Sequence, residues 1–409
     1  MNKYQNNLAR TAVEIGVNIQ PGQKLFINSP IETAEFARTL AGAAFEAGAG
    51  DVFVHYTDEN LTKIRYEKAE KDVLCHIPEW VITKYNEILK DGGAVISISA
   101  AEPGLFAGIN GEKLKAVSKA KQAAAAAYNS AIMANKNRWC VISVPSAAWA
   151  VKVFPQARTR DQALELLWSA IIRATHSSEH DAVAYWRRQD NTFKRRSAIL
   201  NEKQYDRLHY KNSLGTDLTV GLPKNHNWSG GSEVAQDGVV FFPNLPTEEI
   251  FSAPDKERVD GHLVSSYPLI YQGRMIDHFH LDFRKGKVVG YSAKTGQDVL
   301  EELITSDDGA EQLGEIALVP NDSPISKMDL LFYNTLFDEN ASCHFAFGAA
   351  YPGCVKGGEQ MSEEELSKSG LNQSRTHVDF MVGTDDLEIT GILPDGTEEL
   401  VFKDGNFVF

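Results

Sequence analysis

The sequence predicts an α/β N-terminal domain, residues 1–190, followed by a β-rich α+β C-terminal domain, residues 191–409. Two observations support this fold class. Strand patterns alternate with long helical patterns in the first part of the chain, as they do in proteins with a parallel sheet. From about Thr192 onward the pattern changes to short alternating strands separated by turn residues, which is typical of antiparallel sheets.

The N-terminal domain opens with a strand–helix–strand unit. Residues 24–29 and 51–56 are short apolar strands, and the alanine-rich stretch 32–47 between them is a helix that Gly48 ends. This unit predicts a parallel strand pair, because a helix that connects two strands returns the chain to the same end of the sheet. Two further strands, at 93–99 and 138–144, and two further helices, at 113–133 and 161–176, complete the domain.

The C-terminal domain is predicted from its short strands and turns. The predicted strands cover 213–220, 238–242, 286–291, 387–392 and 402–409, and two amphipathic helices interrupt them at 296–304 and 362–369. The boundary between the domains falls near residues 185–205. Neither an internal repeat nor a low-complexity stretch is present in the sequence.

Charge and composition exclude several classes of protein. The formal net charge of −14 argues against nucleic acid as a partner, and the basic stretch 187–196 is interpreted as a solvated helix or linker face. The predicted strands are followed by neither a G-x-G-x-x-G nor a Walker-type loop, so no motif supports a nucleotide site. The apolar stretches are too short for a membrane span, and the polar start together with four scattered cysteines favours a cytoplasmic location without a disulfide framework.

Residues of the type that binds metal ions are concentrated after residue 240. The candidates sit among small or apolar neighbours: Glu249, Glu315, His344, Tyr351, His377 and Asp379. Charged and polar side chains are rarely embedded in such stretches unless a partner compensates them. Imidazole and carboxylate groups suit divalent metal ions, so the sequence predicts a buried metal site.

The spacing of His377 and Asp379 supports a shared ion. Side chains two residues apart on a strand point to the same face, so both can address one ion while Val378 packs behind them. The alternative is a strand with one exposed polar face. For His344, in a context of small residues, the alternative is a hydrogen-bonded histidine of the core.

Charge counting favours two ions over one. Three carboxylates, from Glu249, Glu315 and Asp379, together with a bound hydroxide offset the charge of two divalent ions almost completely. A single ion would leave a buried site with net negative charge. Five or six protein ligands also exceed the three that a catalytic zinc ion normally takes.

Several phrases of the chain resemble the thermophilic aminopeptidases of peptidase family M29. They include Asn-Leu-Pro-Thr-Glu-Glu-Ile-Phe from residue 244, Glu-Ile-Ala from 315, His-Phe-Ala-Phe-Gly from 344 and His-Val-Asp-Phe-Met-Val-Gly from 377. The resemblance extends over nearly the whole chain, including Val-Asn-Ile-Gln-Pro-Gly-Gln from residue 17.

The resemblance implies a metal-dependent aminopeptidase whose C-terminal domain holds the active site and whose chains form a homodimer. It implies that Glu249, Glu315, His344, His377 and Asp379 bind two divalent metal ions, and that Tyr351 lies at the metal site and takes part in catalysis, as does Glu249. A metal-activated water would hydrolyse peptides that have a free N-terminus. Glu248 is a weaker candidate base, because its side chain should point away from that of Glu249.

Some alternatives remain open at this stage. The metals could stabilise a binding module, although a structural site would be closed by cysteine or histidine ligands. A dinuclear amidase or phosphoesterase could use similar ligands. The residues do not distinguish Zn, Co and Mn, do not show which carboxylate bridges the ions, and leave the preferred first residue of the peptide undefined.

Overall fold

The structure is a computed structural model that describes residues 2–272 and 274–409. Two compact units make up the chain. The first reaches to Arg188 and also contains Ser232–Pro246, and the second contains Gln189–Gly231 and Thr247–Phe409. Both units combine helices and sheets, in agreement with the predicted α/β and α+β character.

Helices are concentrated in the first half of the chain. In chain order they are α1 Lys3–Thr11, α2 Ala34–Glu46, α3 Glu59–Lys68, α4 Lys71–Cys75, α5 Glu79–Lys90, α6 Gly111–Ala124, α7 Ala126–Met133, α8 Ala147–Val153, α9 Arg160–Ala174, α10 Ala182–Lys203, α11 Gln297–Ile304, α12 Thr335–Asp338 and α13 Glu363–Lys368. Within the described residues, no helix combines the length and the hydropathy that crossing a lipid bilayer requires.

Strands dominate the second half. In chain order they are β1 Lys24–Pro30, β2 Asp51–Thr57, β3 Ala94–Ser99, β4 Trp139–Ser143, β5 Arg207–Lys211, β6 Asp217–Gly221, β7 Glu233–Val234, β8 Val240–Phe241, β9 Asn244–Leu245, β10 Ile250–Ser252, β11 Val259–Val264, β12 Leu269–Tyr271, β13 Arg274–Arg284, β14 Lys287–Thr295, β15 Leu313–Leu318, β16 His344–Gly348, β17 His377–Met381, β18 Glu388–Ile392, β19 Glu398–Lys403 and β20 Asn406–Phe407.

A parallel sheet with the strand order β2-β1-β3-β4-β9 forms the centre of the first unit. The predicted parallel pairing of the first two strands is confirmed, with Lys24 opposite Asp51. Leu25 and Ile27 on β1 are buried, because this strand lies inside the sheet with neighbours on both sides. The predicted helix 113–133 is divided at Ala125 into α6 and α7.

The chain passes between the first and the second unit more than once. Helix α10 continues through the division at Arg188, and residues 232–246 return to the first unit. They return because β9 pairs in parallel with β4, with Val141 opposite Asn244. The basic stretch 187–196 lies on α10, and most of its cationic side chains are exposed as predicted. Arg196 differs, since its guanidinium stacks 4.3 Å from the ring centre of Phe407.

The second unit contains two sheets. The larger has the order β12-β13-β11-β6-β5-β18-β19-β20, with β14 paired to β13. Its strand β6 starts at Asp217, later than the predicted residue 213, because Gly215 at φ 110° and a bond from Thr216 N to Asn212 Oδ1 form a turn there. The smaller sheet has the order β10-β15-β16-β17 and is antiparallel.

Candidate metal centre

The small antiparallel sheet carries the predicted ligand residues. Glu315 lies on β15, His344 begins β16, and His377 and Asp379 lie on β17. Glu249 immediately precedes β10, which pairs with β15. The structure therefore brings together residues that are separated by up to 130 positions, the distance from Glu249 to Asp379 in the sequence.

Strand register places the ligand side chains on one face. Glu315 and Asp379 both lie opposite Ala346, and His377 lies opposite Gly348. His344, two residues before Ala346, shares that face because side chains alternate along a strand. Ala346 and Gly348 are small, so the centre of this face stays open for an ion. Gly348 has φ 95°, and a Cβ there would overlap the carbonyl oxygen of Thr376.

Aromatic residues fix the opposite face of the same sheet. Phe345, Phe347 and Phe380 are fully buried, and the rings of Phe347 and Phe380 lie 4.5 Å apart. Tyr210 and Phe279 extend this cluster, with ring distances of 5.1 Å to Phe345 and 5.6 Å to Phe380. The alternation of polar and aromatic residues along β16 and β17 thus gives the sheet one face for ligands and one for the core.

The ligand atoms form two groups that share Glu315. One group is Glu249, Glu315 and His344, and the other is Glu315, His377 and Asp379. Within each group the candidate ligand atoms lie within 4.8 Å of one another. The two oxygens of Glu315 face different imidazoles, because Oε1 lies 3.6 Å from His344 Nε2 and Oε2 lies 3.4 Å from His377 Nε2.

Backbone carbonyls orient both imidazole rings. His344 Nδ1 lies 3.1 Å from the oxygen of Ser342, and His377 Nδ1 lies 2.8 Å from the oxygen of Ala349. Donation of Nδ1–H to these carbonyls leaves Nε2 to face the carboxylates, and loss of the Nε2 proton gives the neutral tautomer with its lone pair there. This tautomer is the one that a metal-binding histidine needs, and the carbonyl bond fixes it.

Electrostatics show that the site attracts positive charge. Burial alone would lower the pKa of His377, but the neighbouring Asp379 and Glu315 raise it to about 11. Burial likewise opposes the charged form of His344, and contacts with Glu249 and Glu315 still raise its pKa well above the usual range. Without a metal ion, protons on the imidazoles compensate the carboxylates, and a divalent ion would displace those protons.

The residues present fit divalent metal ions. Glu249 Oε2 and Asp379 Oδ1 are buried and accept no hydrogen bond of good geometry among the described residues, although imidazole nitrogens lie 3.2 and 3.3 Å away. Buried carboxylate oxygens without such bonds are costly unless a cation compensates them. Three carboxylates against two imidazoles give a donor set of oxygen and nitrogen that suits Zn, Co or Mn.

Glu339 is a further acidic residue of the site that the sequence analysis missed. Burial raises the pKa of its carboxyl group well above the usual range, and the charges of Glu249 and Asp379 raise it further. These interactions place Glu339 close to the ligand groups. It lies in a short 3-10 turn, Glu339–Ala341, within a polar run that resembles an ordinary solvent-exposed loop in the sequence.

Tyr351 lies beside the second ligand group. Its ring centre is 5.0 Å from that of His377, and the ring packs edge-on against Phe251 at 6.1 Å. The residue is 38% exposed, but desolvation of the hydroxyl still raises its pKa above the ordinary value, and the charge of Glu315 raises it further. The hydroxyl therefore stays protonated and can donate a hydrogen bond.

The turn after Tyr351 rests on its own small hydrophobic cluster. The cluster consists of Ala253, Cys354, Val355, Leu366 and Leu371. Asn227 fixes the turn further, because its side chain donates to the oxygen of Gly353 at 3.0 Å. This packing holds the Tyr351 segment in place beside β17.

Asn340 connects two segments that carry acidic residues of the site. Its side chain is fully buried, accepts a hydrogen bond from the N–H of Glu248 at 2.6 Å and donates one to the oxygen of Leu336 at 3.0 Å. The bond to Glu248 holds the backbone next to Glu249 against the turn that contains Glu339. Glu248 itself is buried, and its negative charge acts on Arg196.

Replacing Asn340 by alanine is expected to weaken metal binding about 10–100-fold, the usual effect of losing a residue that supports a ligand. It should also destabilise the fold by about 1–3 kcal/mol, because a buried N–H and a buried carbonyl lose their partner. Calorimetric metal titration and urea unfolding measure both effects. Asn60, exposed on α3, is the matched control, and its replacement by alanine should change neither quantity. Unchanged metal affinity in the Asn340 variant would contradict the role assigned to its side chain.

The fold and the candidate ligand groups together indicate a metalloenzyme of mixed α/β architecture, with carboxylates and imidazoles as candidate ligands. Comparison with known proteins agrees: residues 1–407 match the model of the family described as thermophilic metalloprotease (M29). The chain belongs to this family, which confirms the resemblance predicted from the sequence. It is therefore a metal-dependent hydrolase that acts on peptide bonds.

Relatives match over almost their whole length. Aminopeptidase AmpS of Bacillus subtilis (strain 168) is 44% identical over 99% of this chain and 98% of its own. Aminopeptidase 2 of Geobacillus stearothermophilus is 44% identical, with 100% and 99% covered. Among solved structures, wild-type AmpT from Thermus thermophilus is similar with a TM-score of 0.93 at 35% identity, covering 99% of each chain.

Proposed function

We propose that this protein is an aminopeptidase that releases single N-terminal residues from peptides by means of two divalent metal ions. The sharing of Glu315 between two ligand groups is the observation that carries the proposal. One group alone would satisfy a single ion, whereas a carboxylate whose two oxygens face opposite ways suits a bridge between two ions. The aminopeptidases among the relatives support the choice of substrate.

Each residue has a proposed role in this reaction. Glu249 and His344 would hold one ion, His377 and Asp379 the other, and Glu315 both. Ions bound there would supply Lewis-acid activation of a water molecule and of the scissile carbonyl. Tyr351 would donate a hydrogen bond to the oxyanion that develops on that carbonyl. Ions bound there would offset the charges of Glu249 and Asp379 that keep Glu339 protonated, so the ionised carboxylate of Glu339 would accept a proton from the attacking water.

The proposal extends to the organisation of the protein. We assign the α/β domain, residues 1–190, a supporting role and the domain 191–409 the active site, because the ligand groups lie after residue 240. By resemblance to the family we further propose a homodimer that works in the cytoplasm with Zn, Co or Mn. Light scattering coupled to size exclusion measures the assembly state.

A panel of aminoacyl p-nitroanilides tests the function. Metal-stripped protein should be inactive, and addition of Zn, Co or Mn should restore hydrolysis of substrates with a free amine. The N-acetylated form of the best substrate is the control and should not be cleaved. Equal cleavage of the acetylated compound would contradict an aminopeptidase and favour an amidase.

Chelation is expected to abolish hydrolysis while the protein stays folded. Both units have extensive hydrophobic cores of their own, so the metal ions serve the chemistry more than the fold. Circular dichroism and activity of the same EDTA-treated sample measure the two properties. Complete unfolding on loss of metal, as in a zinc finger, would contradict this expectation.

A further inference from the structure

A cavity of about 290 Å³ opens beside the second ligand group, within the unit that contains residues 247–409. Three segments line it: residues 267–271, 330–335 and 377–381. His377 and Asp379 belong to the lining, so the cavity and the metal site share a wall. Its volume is at the lower end of ligand pockets, which span about 300–1,000 Å³, and suits one side chain better than a longer peptide segment.

The lining is mostly aromatic and apolar. Tyr267, Tyr271 and Tyr333 contribute rings, and Leu269, Leu330 and Met381 contribute aliphatic groups. Leu269 and Met381 are buried, whereas the other four are half-buried, so the cavity has a firm base and an accessible rim. Such a surface favours a large apolar side chain, which loses contact with water when it enters.

Asp338 is the acidic residue of this cavity outside the metal ligands. Its two oxygens accept hydrogen bonds from the backbone N–H groups of Phe332 and Asn334, at 2.7 and 2.9 Å. Asp338 therefore fixes the loop that bears Leu330 and Tyr333. Because both oxygens are engaged in this way, the carboxylate is a poor partner for a cationic substrate side chain.

We propose that this cavity receives the side chain of the substrate's first residue and selects bulky apolar or aromatic side chains. The inference rests on the proposed aminopeptidase function. His377 and Asp379 lie both in the ligand group and in the cavity wall, so the cavity begins directly beside the proposed metal site. An aminopeptidase holds the first residue of its substrate at the metal ions, so the side chain of that residue is the one beside the cavity.

The selectivity of the parent enzyme is the first test. The leucine and phenylalanine p-nitroanilides should exceed the alanine compound in kcat/KM by at least about 10-fold, since even one methylene in an apolar pocket changes this ratio by about 10–200-fold. Free L-phenylalanine should inhibit more strongly than L-alanine. A preference for alanine, or for lysine and arginine, would overturn the assignment.

Variants of Leu330 locate the selectivity in the cavity. Leu330→Trp fills it and should lower the leucine-to-alanine ratio of kcat/KM at least about 10-fold. Leu330→Lys should raise the rate on N-terminal glutamate relative to leucine. Val289→Trp, at a 61% exposed position outside the cavity, is the matched control and should leave the ratio unchanged. Metal content and melting temperature show whether each variant is folded.

The outcomes separate this inference from the proposed function. If no aminoacyl anilide is cleaved with any of the three metals, the aminopeptidase function fails. If the anilides are cleaved but the Leu330 variants, folded and loaded with metal, keep the parent's leucine-to-alanine ratio, the function stands and the cavity assignment fails.

Discussion

Replacing Glu315 by glutamine is expected to remove both metal ions and to abolish peptide hydrolysis. Glu315 belongs to both ligand groups, and its two oxygens face His344 and His377 separately. Removing one partner from a buried set of charges costs about 3–5 kcal/mol, which corresponds to roughly 10²–10⁴-fold in affinity. Plasma emission spectroscopy on dialysed protein should find about two ions per chain in the parent and fewer than one in the variant.

Two further variants show whether the loss of both metal ions is specific to Glu315, the residue that both ligand groups share. Asp379→Ala and His377→Ala each damage the second group directly, so they should lose metal and activity while Glu249 and His344 still form part of the first group. Glu388→Gln, at an exposed position on β18, is the matched control and should keep both ions. If the Glu315 variant retained both ions and a near-normal rate, the shared ligand would be excluded.

Replacing Tyr351 by phenylalanine is expected to lower kcat by about 10²–10³-fold while both metal ions stay bound, the scale of losing one oxyanion donor. The ring would keep its packing against His377 and Phe251, so only the hydroxyl is lost. A tyrosine hydroxyl is protonated at neutral pH, which an oxyanion donor requires. Steady-state kinetics and metal analysis on one preparation measure both properties.

A structural role for the Tyr351 hydroxyl predicts a different outcome. The melting temperature would then fall while kcat/KM stayed nearly constant. Tyr56, which is 36% exposed on β2, gives a matched tyrosine-to-phenylalanine control that should change neither quantity. Reduced stability with unaltered kinetics would remove Tyr351 from the mechanism.

Local patterns in the sequence are sufficient to predict a candidate site residue where a charged side chain stands among small or apolar neighbours. Glu315 stands out because Gly314 and Ile316 flank it, and all three are buried on β15. The spacing of His377 and Asp379 gave their common face directly, because alternation is a local property of a strand. The parallel pairing of β1 and β2 followed from the helix between them, because a connecting helix returns the chain to the same end of the sheet.

Features that depend on distant contacts could not be predicted in this way. Strand β9 has two residues, and only its pairing with β4 reveals that it belongs to the first sheet. Glu339 and Asn340 lie in a polar run, so their burial depends on segments far away in the sequence. The basic stretch 187–196 predicts a solvated helix or linker face, and most of its cationic side chains are exposed, but the helix α10 that contains it also buries Trp186, Phe193 and Leu200.

The return of residues 232–246 to the first sheet limits how the gene can be divided. A fragment that ends at residue 190 would lack β9 and expose the backbone of β4 as a new edge, and exposed edges of this kind promote aggregation. A fragment that begins there would carry β9 without its partner strand. The first half thus depends on a segment that lies within the second half of the sequence, and the second half would carry that segment unpaired, so division at residue 190 yields no intact module for expression or exchange.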